Sequence, residues 1–270
     1  MMNIKHEIKH LILDRLPEAF IIEIKKIHYL RSLKKFSERN EKDLAILKHI
    51  VKPGDRVIDI GANVGWYTKA LSNLVGEKGC VYSIEPVPQT FELLSFCIKK
   101  LRLTNVLLFN NAISEKDGSL IMEVPKYEGS GYNFYRSRIV NPVRLNQSLK
   151  HYEVDSKSLD SLFSECSNRM SFIKCDVEGH ELQVIKGAKK IISKFRPAWL
   201  MEISGNPEDP GSEAFELFKV FSGQGYRVFW FDGMQLREYF PRDRSVNYFF
   251  LTEYDLSTMD SSFLDKGQLL

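Results

Sequence analysis

The segment 56–68 constrains the fold of this chain more than any other part. Residues 57–60 are mostly apolar and β-branched, which is typical of a parallel strand buried on both faces. Gly61 and Gly65 follow where a backbone has to turn tightly and leave room for a ligand. A helix that begins after such a turn points unpaired N–H groups at whatever binds above the strand. The segment therefore predicts a strand–turn–helix unit with a ligand at its turn.

Strand and helix patterns alternate along the rest of the chain, which is typical of βαβ units and a parallel sheet in an α/β fold. Helical patterns separate apolar runs at 80–84, 106–109, 171–175 and 197–203, and two further strands are expected at 226–231 and 246–251. We expect a helical extension over 1–50, one main domain over 51–254 with an insertion at 119–150, and a weakly structured tail over 255–270.

The N-terminal extension has a mixed apolar and basic character. A helix is expected over 18–36, between the helix that ends at Pro17 and a third one over 40–50. Basic residues beside isoleucines in 18–36 would suit a helix on a membrane surface. We favour instead a helix that packs on the main domain and leaves its basic face in solvent.

Composition excludes several classes of protein. The excess of 38 Lys and Arg over 35 Asp and Glu is too small to indicate a nucleic-acid partner. The four cysteines are widely spaced, with no CxxC pair, so they predict neither a zinc site nor a disulfide framework. No apolar run is long enough to span a bilayer, and none resembles a signal peptide, so we expect a cytoplasmic protein.

The insertion interrupts the α/β pattern. Residues 119–124 alternate like an antiparallel strand, and 126–150 show no sustained period. This stretch is aromatic and basic together, in Tyr127, Tyr132, Phe134, Tyr135, Arg136, Arg138 and Arg144. Such a mixture stacks on sugars or bases or binds an acidic substrate, and it also occurs in flexible surface loops.

Polar residues follow the strands of the predicted sheet, at the edge where α/β proteins bind ligands. Glu85 stands 24 residues after Gly61 at the end of the second strand, where a carboxylate can accept both hydroxyls of an adenosine ribose. The turn lacks the middle glycine of the dinucleotide pattern G-x-G-x-x-G. Asp59 suits a ligand with an ammonium or sulfonium group and repels a diphosphate. S-adenosylmethionine is therefore favoured over a dinucleotide.

Four motifs together resemble the FkbM family of methyltransferases, over roughly residues 50–250. They are VIDIGANVG at 57–65, IEP at 84–86, NAIS at 111–114 and IKCDVEGHE at 173–181, of which the last is the most specific. The resemblance implies a Rossmann-like, seven-stranded, mostly parallel sheet with an antiparallel last strand. It also implies methyl transfer from S-adenosylmethionine to a hydroxyl of a sugar, a glycan or a polyketide-like metabolite.

The resemblance also assigns cofactor contacts at matching positions. The methionine part is expected at Asp59, Gly61, Asn63 and Gly65, the ribose at Glu85, and the adenine beside Asn111 and Ala112.

Methyl transfer depends mostly on positioning, and a base for the acceptor's proton adds ~10²–10⁴-fold. His180 is the first candidate because neutral imidazole accepts a proton near pH 7, and Asp176, Glu178 and Glu202 are the alternatives. Alternatively, Asp176 and Glu202 bind a divalent metal that lowers the pKa of the acceptor hydroxyl. The family motif does not require such a metal. We therefore expect no metal site.

Three other functions compete with this interpretation. A nucleic-acid N-methyltransferase would carry an Asn/Asp-Pro-Pro-aromatic turn where this chain has Asp176-Val177-Glu178-Gly179, so we expect no nucleic-acid partner. An NAD-dependent sugar enzyme is disfavoured by the missing glycine and by the lack of a Tyr-x-x-x-Lys pair. A non-catalytic binding or scaffold module stays open, although the intact motifs weigh against it.

Overall fold

The computed structural model describes residues 18–37, 40–126, 132–140 and 145–265. Within these ranges the strands are β1 Arg56–Ile60, β2 Cys80–Ile84, β3 Val106–Phe109, β4 Ala112–Ile113, β5 Gly118–Val124, β6 Arg138–Val140, β7 Lys150–Lys157, β8 Phe172–Cys175, β9 Ala198–Glu202, β10 Arg227–Phe231, β11 Leu236–Glu238 and β12 Asn247–Leu251. The helices are α1 Glu18–Lys35, α2 Leu44–Ile50, α3 Trp66–Val75, α4 Pro88–Leu101, α5 Leu159–Leu162, α6 Glu181–Lys186, α7 Lys189–Phe195, α8 Glu213–Gly223 and α9 Glu253–Thr258.

The main sheet has the order β11-β10-β12-β9-β8-β1-β2-β3. Strands β3, β2, β1, β8 and β9 pair in parallel, and β12 runs antiparallel to both β9 and β10. This confirms the predicted Rossmann-like sheet with an antiparallel last strand, and β11 adds an eighth strand at its edge. The order reverses between β1 and β8, where Ile60 lies beside Cys175, and open α/β sheets bind ligands at such a point.

Helices cover both faces of the main sheet because successive strand residues point to opposite sides. On β1, Ile58 and Ile60 join a core with α6, α7 and α8, whereas Val57 joins a core with α2 and α3. Trp199 and Phe172 are fully buried on these two sides. Burial on both faces explains why β1 carries apolar residues on both sides of the sheet.

The insertion forms a second sheet with the order β4-β7-β5-β6. The irregular stretch predicted for 126–150 therefore contains β6, and it leads into β7, which sequence analysis missed. β7 alternates between charged residues and the inward-facing Tyr152 and Val154, which pack near Met122. Tyr127 and Arg144 lie outside the described residues.

The helix expected over 182–194 is split in two at Gly187 and Ala188. Gly187 lies so close to the residue after β4 that a Cβ there would be 2.1 Å from the Ser114 carbonyl oxygen. The expected tail also has structure, because α9 continues the chain beyond Glu253 and starts with a capping box at Thr252.

The extension packs on the main domain, as the favoured interpretation predicts. On α1, Lys26 Nζ lies 2.7 Å from Glu92 Oε1 of α4, and Lys69 Nζ donates to the Leu33 carbonyl oxygen at 2.6 Å. The helix expected before Pro17 lies outside the described residues. Among the helices that the structure describes, none is both long enough and apolar enough to cross a bilayer.

Candidate functional site

A partly open cavity lies at the carboxyl ends of β1, β2 and β8, the edge at which open α/β sheets bind ligands. Most of the predicted site residues line it, namely Gly61, Asn63, Glu85, Asn111, Ala112, Asp176 and Glu178. The inner wall comes from the main sheet, and Phe134, Tyr135 and Ser137 of the insertion close the other side. The strand ends therefore converge as the sequence predicts, and the insertion completes the cavity.

The glycine turn is shaped by close contact between β1 and the loop after β8. Gly61 has φ +72°, and a Cβ at this position would lie 1.8 Å from the Asp176 carbonyl oxygen. The backbone N–H groups of Gly61 and Ala62 both donate to the Ile84 carbonyl oxygen at 3.0 Å. Asn63 adopts a left-handed conformation, and Gly65, with φ +101°, precedes α3. These contacts fix the inner wall of the cavity.

Glu85 is the buried carboxylate of the cavity, with 6% of its surface exposed. Its Oε2 accepts from the Asn63 N–H and its Oε1 from the Val87 N–H, each at 3.0 Å. Burial raises the pKa of Glu85 to about 7, although both hydrogen bonds oppose the shift. Each oxygen keeps a lone pair for another donor, so the group can accept two neighbouring hydroxyls.

Asp59 lies beneath the turn and is fully buried, so it does not line the cavity. Its Oδ2 accepts from Thr68 Oγ1 at 2.6 Å, whereas its Oδ1 has no hydrogen-bond partner in the described part of the chain. Burial raises its pKa, and the nearby Lys174 opposes that shift. Gly65 is likewise outside the cavity lining.

The loop after β8 brings Asp176 and Glu178 to the cavity. Lys174, which is buried, has its Nζ 3.0 Å from Asp176 Oδ2 and lies over the Tyr67 ring. Glu178 adopts φ +54°, which strains a non-glycine residue and often marks a functional position. Burial and the nearby Asp176 raise the pKa of Glu178.

Glu181 stabilises the conformation of this loop, a role that sequence analysis did not assign. Its Oε1 accepts from the Gly179 N–H at 3.1 Å and from the Val177 N–H at 3.3 Å. The signal was present in the sequence, because an acidic residue in the first turn of a helix bonds to preceding N–H groups.

His180 and Glu202 are not among the residues that line the cavity. His180 Nε2 is hydrogen-bonded to Ser114 Oγ at 2.9 Å, and burial lowers the pKa of this imidazole to about 4. Glu202 lies at the end of β9, and burial, Asp176 and Glu178 raise its pKa. The structure therefore groups Asp176 and Glu178 with the predicted cofactor residues and leaves the other two outside.

The extension also reaches this edge of the sheet, which no motif indicated. Asn247 pairs in register with Glu202 and donates from Nδ2 to Asp43 Oδ2 at 2.7 Å. This bond holds the turn that carries Glu41 near the loop after β8, and Glu41 interacts electrostatically with Lys174 and Asp176. Its role depends on a tertiary contact between residues about 200 positions apart, so local sequence could not indicate it.

No group of three or more potential metal ligands lies close enough together to hold an ion, as far as the described residues extend. The alternative of a metal between Asp176 and Glu202 therefore has no further ligand among them.

Comparison with known proteins identifies the family. A sequence model of the FkbM methyltransferase domain matches residues 59–228, which include the glycine turn, Glu85 and the loop after β8. The chain belongs to the FkbM methyltransferase family. The matching model describes a methyltransferase domain.

Individual relatives of this FkbM methyltransferase match shorter segments. A protein-L-isoaspartate O-methyltransferase of Methanococcus aeolicus is 38% identical over 56 residues, 21% of this chain and 26% of that protein. A ribosomal RNA large subunit methyltransferase E of Methanothermobacter thermautotrophicus is 35% identical over 68 residues, 23% of this chain and 32% of that one. The chain thus spans about a quarter to a third of these curated relatives. A crystal structure of an FkbM methyltransferase from Methylobacillus flagellatus is 15% identical, with a TM-score of 0.46, and covers 77% of this chain and 50% of that one.

The residues of this FkbM methyltransferase fit S-adenosylmethionine. Besides the free lone pairs of Glu85, Asn63 Oδ1 is buried and lacks a hydrogen-bond partner within the described ranges, although Asn63 lines the cavity. An unpaired buried acceptor costs free energy unless a ligand supplies a donor. The ammonium and hydroxyl groups of S-adenosylmethionine are donors of the required kind.

Proposed function

We propose that this FkbM methyltransferase transfers the methyl group to a hydroxyl of an uncharged, hydroxyl-rich acceptor, namely a sugar, a glycan or a polyketide-like metabolite. The observation that carries the proposal is the acidic character of the cavity beyond the cofactor residues. Asp176 and Glu178 line this part, and the charge of Asp176 contributes to raising the pKa of both Glu41 and Glu202 nearby.

On the donor side, we assign the ribose hydroxyls to Glu85, the adenine to the wall formed by Asn111 and Ala112, and the methionine part to Asn63 and the Gly61 turn. We assign Asp59 an indirect role, because it lies beneath the turn. It accepts a hydrogen bond from Thr68 and adds negative charge below the methionine part. S-Adenosylmethionine supplies an activated methyl group on its sulfonium sulfur when it is bound.

This assignment of Glu85 predicts a pH-dependent affinity. Hydroxyl donors bind the ionised carboxylate, and the pKa of Glu85 in the free protein is about 7, so binding weakens as pH falls through that value. The dissociation constant of S-adenosylhomocysteine should rise about tenfold between pH 8 and pH 6. In Glu85→Gln, which cannot ionise, the affinity should be weaker and nearly independent of pH. Calorimetric titration at both pH values measures this, and a wild-type affinity that does not change would contradict the assignment.

On the acceptor side, we assign proton removal to Glu178. Its raised pKa makes it a stronger base than an ordinary carboxylate, and it faces the cavity. Asp176 is already paired with Lys174, and its remaining oxygen is suited to orient the acceptor hydroxyl. His180 is a weaker base because its pKa is lowered to about 4, and its Nε2 is bonded to Ser114.

The acidic surroundings favour an uncharged acceptor over a nucleic acid. Carboxylates repel phosphate groups, and Lys174 and Arg136 offset only part of this negative charge. Carboxylates also accept hydrogen bonds from sugar hydroxyls, as Glu85 does on the donor side in our assignment. Aromatic residues of the insertion, Phe134 and Tyr135, add surfaces on which a sugar ring can pack.

The proposal is tested by measuring transfer of a labelled methyl group from S-adenosylmethionine to three classes of acceptor. We expect label in a library of neutral glycans and polyol metabolites, with the methyl group located on oxygen by mass spectrometry. The other two classes are ribosomal RNA and an isoaspartyl peptide, which are the substrates in the names of two relatives. Both should stay unlabelled. Label in the RNA or the peptide and none in the neutral acceptors would contradict the proposal.

A further inference from the structure

Helix α1 has two different faces. Its inner face binds the main domain through Lys26 and Glu92 and through Leu33, which is fully buried. Tyr29 on the same face packs edge-on against Tyr135, with ring centroids 6.1 Å apart, and Tyr135 lines the cavity. These contacts fix the orientation of the helix, so that its opposite face is exposed to solvent.

The outer face is apolar in its first half and basic in its second half. Phe20, Ile24 and Ile27 are 54%, 42% and 53% exposed, which is unusual for three large apolar side chains on one helix. At ~100° per residue, seven exposed residues fall within about 60° of the direction of Phe20. One of them is Glu23, and the other six, which we call the α1 outer face, are Phe20, Ile24, Ile27, Arg31, Lys34 and Lys35.

The positive charges of the α1 outer face are not neutralised by any residue that the structure describes. Arg31, Lys34 and Lys35 are exposed and form no ion pair with any described residue. Glu23, the acidic residue at the margin of this face, is already paired with Lys26 at 2.6 Å. The face thus offers exposed apolar groups together with unneutralised positive charge.

We propose that the α1 outer face binds the surface of an anionic lipid bilayer. The apolar side chains would enter the boundary between headgroups and acyl chains, and the three cations would contact acidic headgroups. We favour lipid over an apolar groove of another protein because half of the α1 outer face is cationic. Acidic headgroups complement this charge, and an apolar groove does not. Since the inner face of α1 touches Tyr135, binding would place the cavity wall formed by the insertion near the lipid surface. Lipid binding of this kind does not depend on which acceptor is methylated.

The test is co-sedimentation of the full chain with vesicles. Phosphatidylcholine vesicles with about one third phosphatidylglycerol should bind the protein, pure phosphatidylcholine should bind it much less, and added salt should release it. Replacing all three cations (Arg31→Gln, Lys34→Gln, Lys35→Gln) should weaken binding about 100-fold. Replacing the apolar set (Phe20→Ser, Ile24→Ser, Ile27→Ser) should weaken it at least about tenfold.

A matched control removes three exposed lysines elsewhere, by Lys189→Gln, Lys190→Gln and Lys219→Gln, so that the net charge falls equally. The control should bind vesicles like the wild type, and S-adenosylhomocysteine binding shows that each variant is folded. Absence of vesicle binding by the wild type would overturn the proposal. Equal losses of vesicle binding in the control and in the variant that replaces Arg31, Lys34 and Lys35 would also overturn it. Self-association of the wild type that disappears in the apolar variant, without vesicle binding, would assign the face to a second copy of this chain instead.

Discussion

Replacing Gly61 with alanine is expected to abolish cofactor binding and to lower the free energy of unfolding by about 2–5 kcal/mol. The left-handed backbone at φ +72° accounts for about 1–2 kcal/mol of this loss, since a Cβ disfavours that conformation. The remainder comes from the Asp176 carbonyl oxygen, which would lie 1.8 Å from the new Cβ. Because that atom belongs to the backbone, either the turn after β1 or the loop after β8 has to move.

Gly54→Ala provides the control for this prediction. Gly54 also has a positive φ, of +90°, in a surface turn, and a Cβ added there would meet no atom within 4 Å. It should show the conformational cost alone, about 1–2 kcal/mol, with cofactor binding unchanged. Denaturant unfolding and calorimetric titration of both variants give the comparison. Equal losses in the two variants would mean that the contact between Gly61 and Asp176 has no energetic importance.

Glu178→Gln is expected to lower kcat about 10²–10⁴-fold, because the side chain keeps its shape and loses its ability to take a proton. Binding of S-adenosylhomocysteine should be unchanged, since the donor side of the cavity is intact. In the wild type, kcat should rise with pH through the raised pKa of Glu178, and this rise should disappear in the variant. The measurement requires a neutral acceptor identified by the methyl-transfer assay.

His180→Gln distinguishes the two candidate bases. Glutamine can still bond to Ser114, so the start of α6 should keep its conformation, and kcat should fall much less than in Glu178→Gln. A larger loss in His180→Gln would show that His180 is the base, as its chemistry near neutral pH first suggests.

The sequence is informative about the site wherever local pattern and chemistry coincide. The strand at 56–60, the turn at Gly61 and the position of Glu85 after β2 are predicted correctly, because strand burial, a tight turn and a strand-end carboxylate each have a local signature. The parallel sheet follows from the same alternation of elements.

Tertiary contacts explain what the sequence did not predict. The strand β7 has few apolar residues because one face is solvated, and its pairing partner β5 is about 30 residues away. Gly187, at the break between α6 and α7, lies against the distant Ser114, and the bond between Asp43 and Asn247 joins residues 204 positions apart. His180 has suitable chemistry for a base, but its burial against Ser114 is visible only in three dimensions.

The most direct test of the account is a calorimetric titration of the full chain with S-adenosylhomocysteine, with NAD in parallel and Glu85→Ala as the variant. We predict micromolar affinity for S-adenosylhomocysteine, no binding of NAD, and loss of binding in Glu85→Ala, whose fold is checked by its unfolding transition. Binding of NAD, or undiminished affinity for S-adenosylhomocysteine in Glu85→Ala, would contradict the assignment of this cavity.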